Sequence, residues 1–339
     1  MTVAVQLAVL NPGGNDREQS FPDGAGSPGD AVPHPPVNYH AYAACTHGTF
    51  YRDAGRIPAE RRAVLLVLRR DLKMCRKAML QLKAEGRTVA VSLKESGLHQ
   101  VAQLLGDAEN MALFLEICAA ADGCIASTRN LVGIYEAAGG KHVRFIPTPY
   151  PVDSREWEFD EPLDSRAGIF IGTREWDTPS RNHAAALLLA ASLGGPVTVV
   201  NEDGRSGRNR ITATGLANAR VIEGKLPYPD YLRLIASHRI VLQLDRSAVP
   251  GQVAGDALLC GMPCVGGDGA IERIAFPKSC GEGREPAALR EIAAQLLQDA
   301  DACAAVGMRG RQLAAERLSF PVIAAELETY FAGLGHGSG

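Results

Sequence analysis

Short apolar runs recur along the chain, and most are followed by a stretch with apolar positions three or four apart. In the first half, residues 3–10, 63–68, 88–93, 123–127 and 143–146 have the length and β-branched content of buried strands. Between them, residues 69–84, 107–121 and 128–138 carry the helical period, with Leu72, Cys75, Met79 and Leu82 forming one stripe. The second half repeats the scheme. Strands are expected at 167–171, 197–200, 220–222, 238–244 and 264–265, and helices at 183–193, 252–260, 285–300, 302–317 and 320–331. Strand alternating with helix predicts an α/β protein built on parallel sheets.

The two halves read as two Rossmann-like domains. Residues 1–150 form the first and 167–319 the second, joined by a linker over 151–166 that follows a stiff, proline-rich exit at Pro147-Thr-Pro-Tyr-Pro. Residues 320–332 are expected as a terminal helix and 333–339 as a frayed tail. Residues 20–36, dense in Gly, Pro and Asp, are either a mobile connection or an active-site flap.

Composition narrows the partners. A 339-residue chain with 46% hydrophobic and 22% charged residues fits a globular protein with two cores, and a net charge of −3 gives no reason to expect nucleic acid. Eight cysteines are scattered, several within apolar runs, as reduced core cysteines are. Cys260 and Cys264 lack a second close pair, so no zinc site is expected. The apolar start at 2–10 is too short for a signal peptide or a span. The chain reads as cytoplasmic, with any membrane contact peripheral at the inner face. The basic side of 69–84, with Arg69, Lys73, Arg76, Lys77 and Lys83, is either a solvated face or a patch for anionic lipid or a phosphorylated acceptor.

The most informative stretch is 241–265. A strand runs into turn residues at 247–251, then a helix, then Gly261 and Pro263 as stop signals, then the next strand. A helix that starts from a Gly-containing loop just after a strand aims unpaired N–H groups at whatever lies above the sheet, which suits phosphate. Asp256, about a turn in, is placed to accept hydrogen bonds from a ribose diol.

Asp256-Ala-Leu-Leu-Cys-Gly-Met-Pro-Cys-Val265 resembles the nucleotide-sugar site of GT-B glycosyltransferases, particularly the retaining family four, also called group 1. The order Ala-Ala-Asp-Gly-Cys-Ile-Ala-Ser-Thr followed by Val-Arg-Phe-Ile-Pro-Thr-Pro resembles the end of that fold's first domain. The resemblance implies two Rossmann-like domains with the active site in the cleft between them. It also implies sugar transfer (EC 2.4, hexosyl type) from a UDP-sugar, or second a GDP-sugar, to a glycan, lipid-linked or small-molecule acceptor. No cofactor and no metal are expected.

The resemblance also assigns roles. Arg174 and Arg181 neutralise the leaving diphosphate, within Gly172-Thr173-Arg174 and Pro179-Ser-Arg181. Lys225 and Leu226 read the base edge, with Tyr231 in the following helix. Gly251, Gln252 and Val253 present the helix N-terminus to the donor. On the first domain, Gly13 and Gly14 follow the first strand, and Lys94 and Glu95 end the strand at 88–93. These, with His40 and His47, are the acceptor-side candidates; Glu95 or a histidine is a candidate base. Gly13 and Gly14 also fit a plain tight turn, and the histidines fit half-buried packing. Asp299-Ala-Asp301 matches a metal motif of another glycosyltransferase fold but lies in a helical, alanine-rich context, and reads as coincidence.

This sequence departs from the family at one place. Family members carry two glutamates seven residues apart. The second corresponds to Asp256; the first falls at Ala248, with Asp245 the nearest carboxylate. A retaining reaction would draw on Asp245; an inverting one on Glu95, His40 or His47. A GT-B 2-epimerase and a non-catalytic nucleotide-binding protein remain as further readings.

Overall fold

A computed structural model describes residues 5–24, 34–94, 97–159, 161–172, 174–216 and 219–335. The chain divides into two compact units: 1–29, 35–153 and 317–339 form one, and 30–34 with 154–316 the other.

The first unit holds β1 (Ala8–Leu10), β2 (Gln19–Ser20), α1 (Asn38–Cys45), β3 (Thr49–Tyr51), β4 (Ala63–Leu68), α2 (Leu72–Ala84) and β5 (Thr88–Leu93). It continues with α3 (Leu98–Leu105), α4 (Ala108–Ala120), β6 (Gly123–Ala126), α5 (Val132–Ala137) and β7 (Val143–Phe145). The strand order is β2-β3-β1-β4-β5-β6-β7, parallel except where β2 pairs with β3. Period-two alternation gives this sheet two buried faces. Ala8, Leu10, Val64, Leu66 and Leu68 pack on one side with Leu72, Cys75 and Met79 of α2 and Phe114 and Ile117 of α4. Leu7, Val9, Leu65 and Val67 pack on the other with Tyr39 and Tyr42 of α1.

The second unit holds β8 (Ile169–Ile171), α6 (His183–Leu193), β9 (Val197–Asn201), α7 (Arg205–Ala213), β10 (Ala219–Glu223), α8 (Tyr228–Ala236) and β11 (Ile240–Gln243). After these come α9 (Gln252–Leu259), β12 (Cys264–Gly266), α10 (Ala270–Ala275), α11 (Pro286–Gln298) and α12 (Ala300–Arg317). Its sheet is β10-β9-β8-β11-β12, all parallel. The order reverses between β8 and β11, and ligands of open α/β sheets sit outside the carboxyl ends of the strands at such a point. The last helix, α13 (Phe320–Gly335), belongs to the first unit, where Phe320, Ile323, Leu327 and Phe331 join the α1 side of the core.

Several boundaries differ from expectation. α2 starts at Leu72 rather than 69, because Asp71 caps it by accepting from the Met74 N–H at 2.9 Å. Residues 333–335, expected in the frayed tail, are helical; 336–339 lie outside the described residues. So does most of the 20–36 connection. The eight cysteines are free and buried. No helix among the described residues is long and apolar enough to cross a membrane. The basic residues of α2 are largely spoken for. Lys73 pairs with Glu109 at 2.7 Å, Arg76 with Glu116 at 2.7 Å and Lys83 with Asp122 at 2.6 Å. These pairs turn much of the expected patch for anionic lipid into a balanced face shared with α4.

Candidate functional site

In the second unit the carboxyl ends of β8, β11 and β12 and the start of α9 converge. β8 is followed by Gly172, whose left-handed φ of 62° lets the chain turn sharply; a β-carbon there would stand 3.0 Å from Trp176 and 3.1 Å from His183 Nδ1. The Trp176 and His183 rings meet at a tilt of 37° with centroids 4.6 Å apart, and His183 Nε2 lies 2.9 Å from the Arg174 carbonyl. Burial pulls the His183 pKa down. Trp176 belongs to no motif in the sequence, whereas His183 closes the Pro179-Ser-Arg181-Asn-His183 stretch. Arg174 itself is exposed. Thr173 lies outside the described residues.

Arg181 follows, on a 3-10 turn over Pro179–Arg181. Its Nη1 lies 2.5 Å from Asp245 Oδ2 and its Nε 2.6 Å from Glu175 Oε2, with Nη2 also on Glu175. Asp245, two residues beyond β11, accepts the Ser247 N–H on its other oxygen at 2.7 Å. Both Asp245 oxygens are thus engaged, and the residue is 4% exposed. The turn is tied down further by Ser180 Oγ to Ser247 Oγ at 2.8 Å and Asn182 Nδ2 to the Leu244 carbonyl at 2.9 Å.

The loop from Ser247 to Gly251 takes a left-handed backbone at two positions, strained at Ala248 and free of strain at Gly251. Ala248, buried, sits at φ 50°, and its N–H donates to Asp268 Oδ1 at 2.8 Å. Gly251, the N-cap of α9, sits at φ 92°. A non-glycine residue in this region is uncommon and costs on the order of 1 kcal/mol or more. Gln252 and Val253, half-buried, begin α9.

Asp256 lies in α9 and is 1% exposed. The Tyr228 hydroxyl hydrogen-bonds its Oδ1. Tyr231 faces it too; burial, then the Asp256 charge, pushes the Tyr231 phenol well up. Tyr231 packs edge-on to Phe170 of β8 with centroids 5.9 Å apart. Tyr231, expected among the donor-binding residues, is thus packed between Phe170 and Asp256. Lys225, exposed, and Leu226, half-buried, lie past the carboxyl end of β10, where Gly224 donates to the Asn201 carbonyl at 2.8 Å.

One residue that no motif flagged is Glu272 in α10. It is 1% exposed, and its Oε2 has no hydrogen-bond partner. Burial raises its pKa to about 8; its own backbone N–H opposes the rise, and Asp245 and Asp268 add to it.

In the first unit, Asn11 follows β1 and is fully buried. Its Nδ2 donates to Asp16 Oδ2 at 2.8 Å, and Lys94, just past β5, pairs with the same oxygen. Burial raises the Asp16 carboxyl, yet the Lys94 hydrogen bond and charge, with His40 and Arg69, outweigh it and hold the acid below its usual range. Gly13 sits at φ 64°, and Gly14 closes on Asn11 through its N–H to the Asn11 carbonyl at 3.1 Å. These residues gather at the carboxyl edge of the sheet. His40 is there too, but stacked on Phe50 with centroids 4.0 Å apart and its Nε2 at 2.8 Å from the Arg17 carbonyl, a packing role. His47 precedes β3, at the amino edge of the sheet, with Nδ1 at 2.9 Å from the Pro22 carbonyl. Glu95 lies outside the described residues.

No family model and no curated protein sequence matches the chain. Solved structures do. The chain is similar to a sucrose-phosphate synthase from Thermosynechococcus elongatus, with TM-score 0.66 and 15% identity over 98% of this chain and 99% of that one. It is similar to an α,α-trehalose 6-phosphate synthase from Burkholderia multivorans, with TM-score 0.60 and 10% identity over 84% and 74%. It is also similar to S. aureus TarM in a complex that includes UDP, with TM-score 0.56 and 11% identity over 79% and 55%. At these identities the likeness establishes the fold: each unit is a Rossmann-like half of the GT-B kind, as the motifs implied.

Proposed function

We propose that the protein is a glycosyltransferase that takes its sugar from a nucleoside diphosphate, UDP first and GDP second. The observation that carries this is the start of α9 at Gly251, at the point where the second sheet reverses its strand order. A diphosphate leaving group needs positive charge held in place before the bond breaks, and preorganised donors provide it without a metal ion. Similarity to UDP-sugar enzymes of the same fold supports the donor class. Asp256, fixed by Tyr228 and Tyr231, is the proposed ribose partner, and Lys225 and Leu226 the proposed base edge. The Asn11–Asp16–Lys94 group is the proposed acceptor side, for a glycan, lipid-linked or small-molecule hydroxyl.

Stereochemistry follows from which carboxylate faces the anomeric carbon. Retention is the outcome the resemblance implies. Ala248 in place of a glutamate, with Asp245 already engaged, favours a second reading, a nucleotide-binding protein without transfer. Incubation with UDP-glucose and with GDP-mannose against a panel of sugar and sugar-phosphate acceptors, read by mass spectrometry and by the anomeric coupling of any product, separates them. A glycosylated product supports transfer. Nucleotide binding with no product and no epimer from any donor would leave the second reading.

A further inference from the structure

Glu272 is a buried carboxyl without a counter-charge of its own. Three glycines close on it from two loops. A β-carbon at Gly251 would stand 2.1 Å from Oε2, one at Gly269 2.3 Å from Oε2, and one at Gly267 2.9 Å from Oε1. Only bare backbone therefore separates the carboxyl from the first turn of α9. The unpartnered Oε2 points at the N-cap of that helix, which is the end that attracts anions.

The charges around it are already allocated. Arg181 is shared by Asp245, beyond β11, and Glu175. Arg273, the next residue in α10, lies 3.1 Å from Glu282 and 3.9 Å from Asp268, and Arg246 adds positive charge near Asp268. Cys264 of β12 faces Glu272 and stays a neutral thiol, because burial, then the Glu272 charge, pushes it well up. An ionised Glu272 would therefore set a third negative charge beside Asp245 and Asp268, directly beneath the anion-binding end of α9.

We propose that Glu272 is a positioning residue that sets the charge of this site, which admits a diphosphate while Glu272 is a neutral acid and excludes it once Glu272 ionises. The inference rests on the donor reading above and goes beyond it, since nothing in that reading requires Glu272. The three glycines hold the carboxyl against the helix end, so its charge is felt through a thin layer of low dielectric rather than through water. Burial and the two neighbouring carboxylates place its ionisation at about pH 8.

The test is calorimetric titration with UDP on the wild type and on Glu272→Gln, which keeps size and neutrality but cannot ionise. UDP's terminal phosphate titrates near pH 6, so its charge is constant above about pH 7.5. The wild type should lose roughly eightfold in affinity between about pH 7.5 and pH 9, as the protonated fraction of Glu272 that binding requires falls. The Gln variant should bind at pH 9 as it does at pH 7.5. Wild-type affinity that stays flat across this range overturns the proposal whether or not the variant folds. So does a parallel decline in both proteins, and in either case the donor reading survives because UDP binds. Absence of UDP binding at every pH overturns the donor reading and this inference with it.

Discussion

Arg181 Nη1 and Asp245 Oδ2 lie 2.5 Å apart, joining a 3-10 turn before α6 to the loop after β11 across the reversal point of the second sheet. Side-chain exposures of 16% and 5% make this a largely buried pair, and Glu175 shares the same guanidinium. Removing one member of such a pair strands the others without compensation and costs about 3–5 kcal/mol. Arg181→Ala should therefore lower the urea midpoint markedly, and Arg181→Lys should recover only part of it, since an ammonium cannot fork between two carboxylates. Equilibrium urea unfolding of the three proteins checks this. Equal midpoints for wild type and Ala would mean the pair contributes nothing.

Gly251 is held at φ 92° with Glu272 Oε2 in the space of its missing β-carbon, whereas Gly224, at φ 81°, has nothing within 4 Å. Alanine at Gly224 meets backbone strain alone, on the order of 1 kcal/mol. Alanine at Gly251 adds a clash with a buried side chain in a packed site, and overpacking costs about 1–3 kcal/mol more. Denaturant midpoints of the two variants should separate by that difference. If they coincide, the contact is soft.

Stability should depend on pH through Glu272. Its pKa is near 4.5 when unfolded and about 8 in the fold, so between these values the native state holds a proton that the unfolded chain has released. The contribution is complete below about pH 4.5 and is lost as pH rises through about 8, with a slope of up to roughly 1.4 kcal/mol per pH unit. Urea unfolding at pH 5, 7 and 9 should show wild type losing stability relative to Glu272→Gln as pH rises. A constant difference would place the carboxyl at its ordinary pKa.

Lys94 and Asp16 pair at the carboxyl edge of the first sheet, with Asn11 on the same oxygen. If this is the acceptor side, Lys94→Ala should raise KM for the acceptor and leave UDP affinity unchanged. Steady-state kinetics with acceptor varied, beside UDP titration, reads both. A loss of UDP affinity instead would move Lys94 to the donor.

The elements easiest to read from sequence were those whose own residues decide them. Residues 63–68, 88–93 and 183–193 appear with the expected bounds, because Val64 to Leu68 alternate between two buried faces and α6 is apolar nearly throughout. α7 gave no signal: Arg205 to Ala213 is mostly polar and buries only Gly207 and Ile211. β3 hid in an aromatic, histidine-bearing stretch whose pairing with β1 is decided 40 residues away. The same limit governs the site. Motif position brought Arg181, Asp245, Gly251 and Asp256 to one unit, but no local pattern says that Asp245 is spent on Arg181 or Asp256 on Tyr228. Nothing in the sequence singles out Glu272, whose surroundings are set by Gly251, Gly267 and Gly269 from two loops.

The most direct measurement is calorimetric titration of UDP, GDP, ADP and CMP into the wild type and into Asp256→Ala near pH 7, with and without magnesium. The account predicts that one diphosphate binds the wild type, that magnesium changes this little, and that Asp256→Ala weakens it by about tenfold or more, as one lost charge-assisted hydrogen bond would. No binding by any of the four nucleotides to a folded wild-type protein would contradict it.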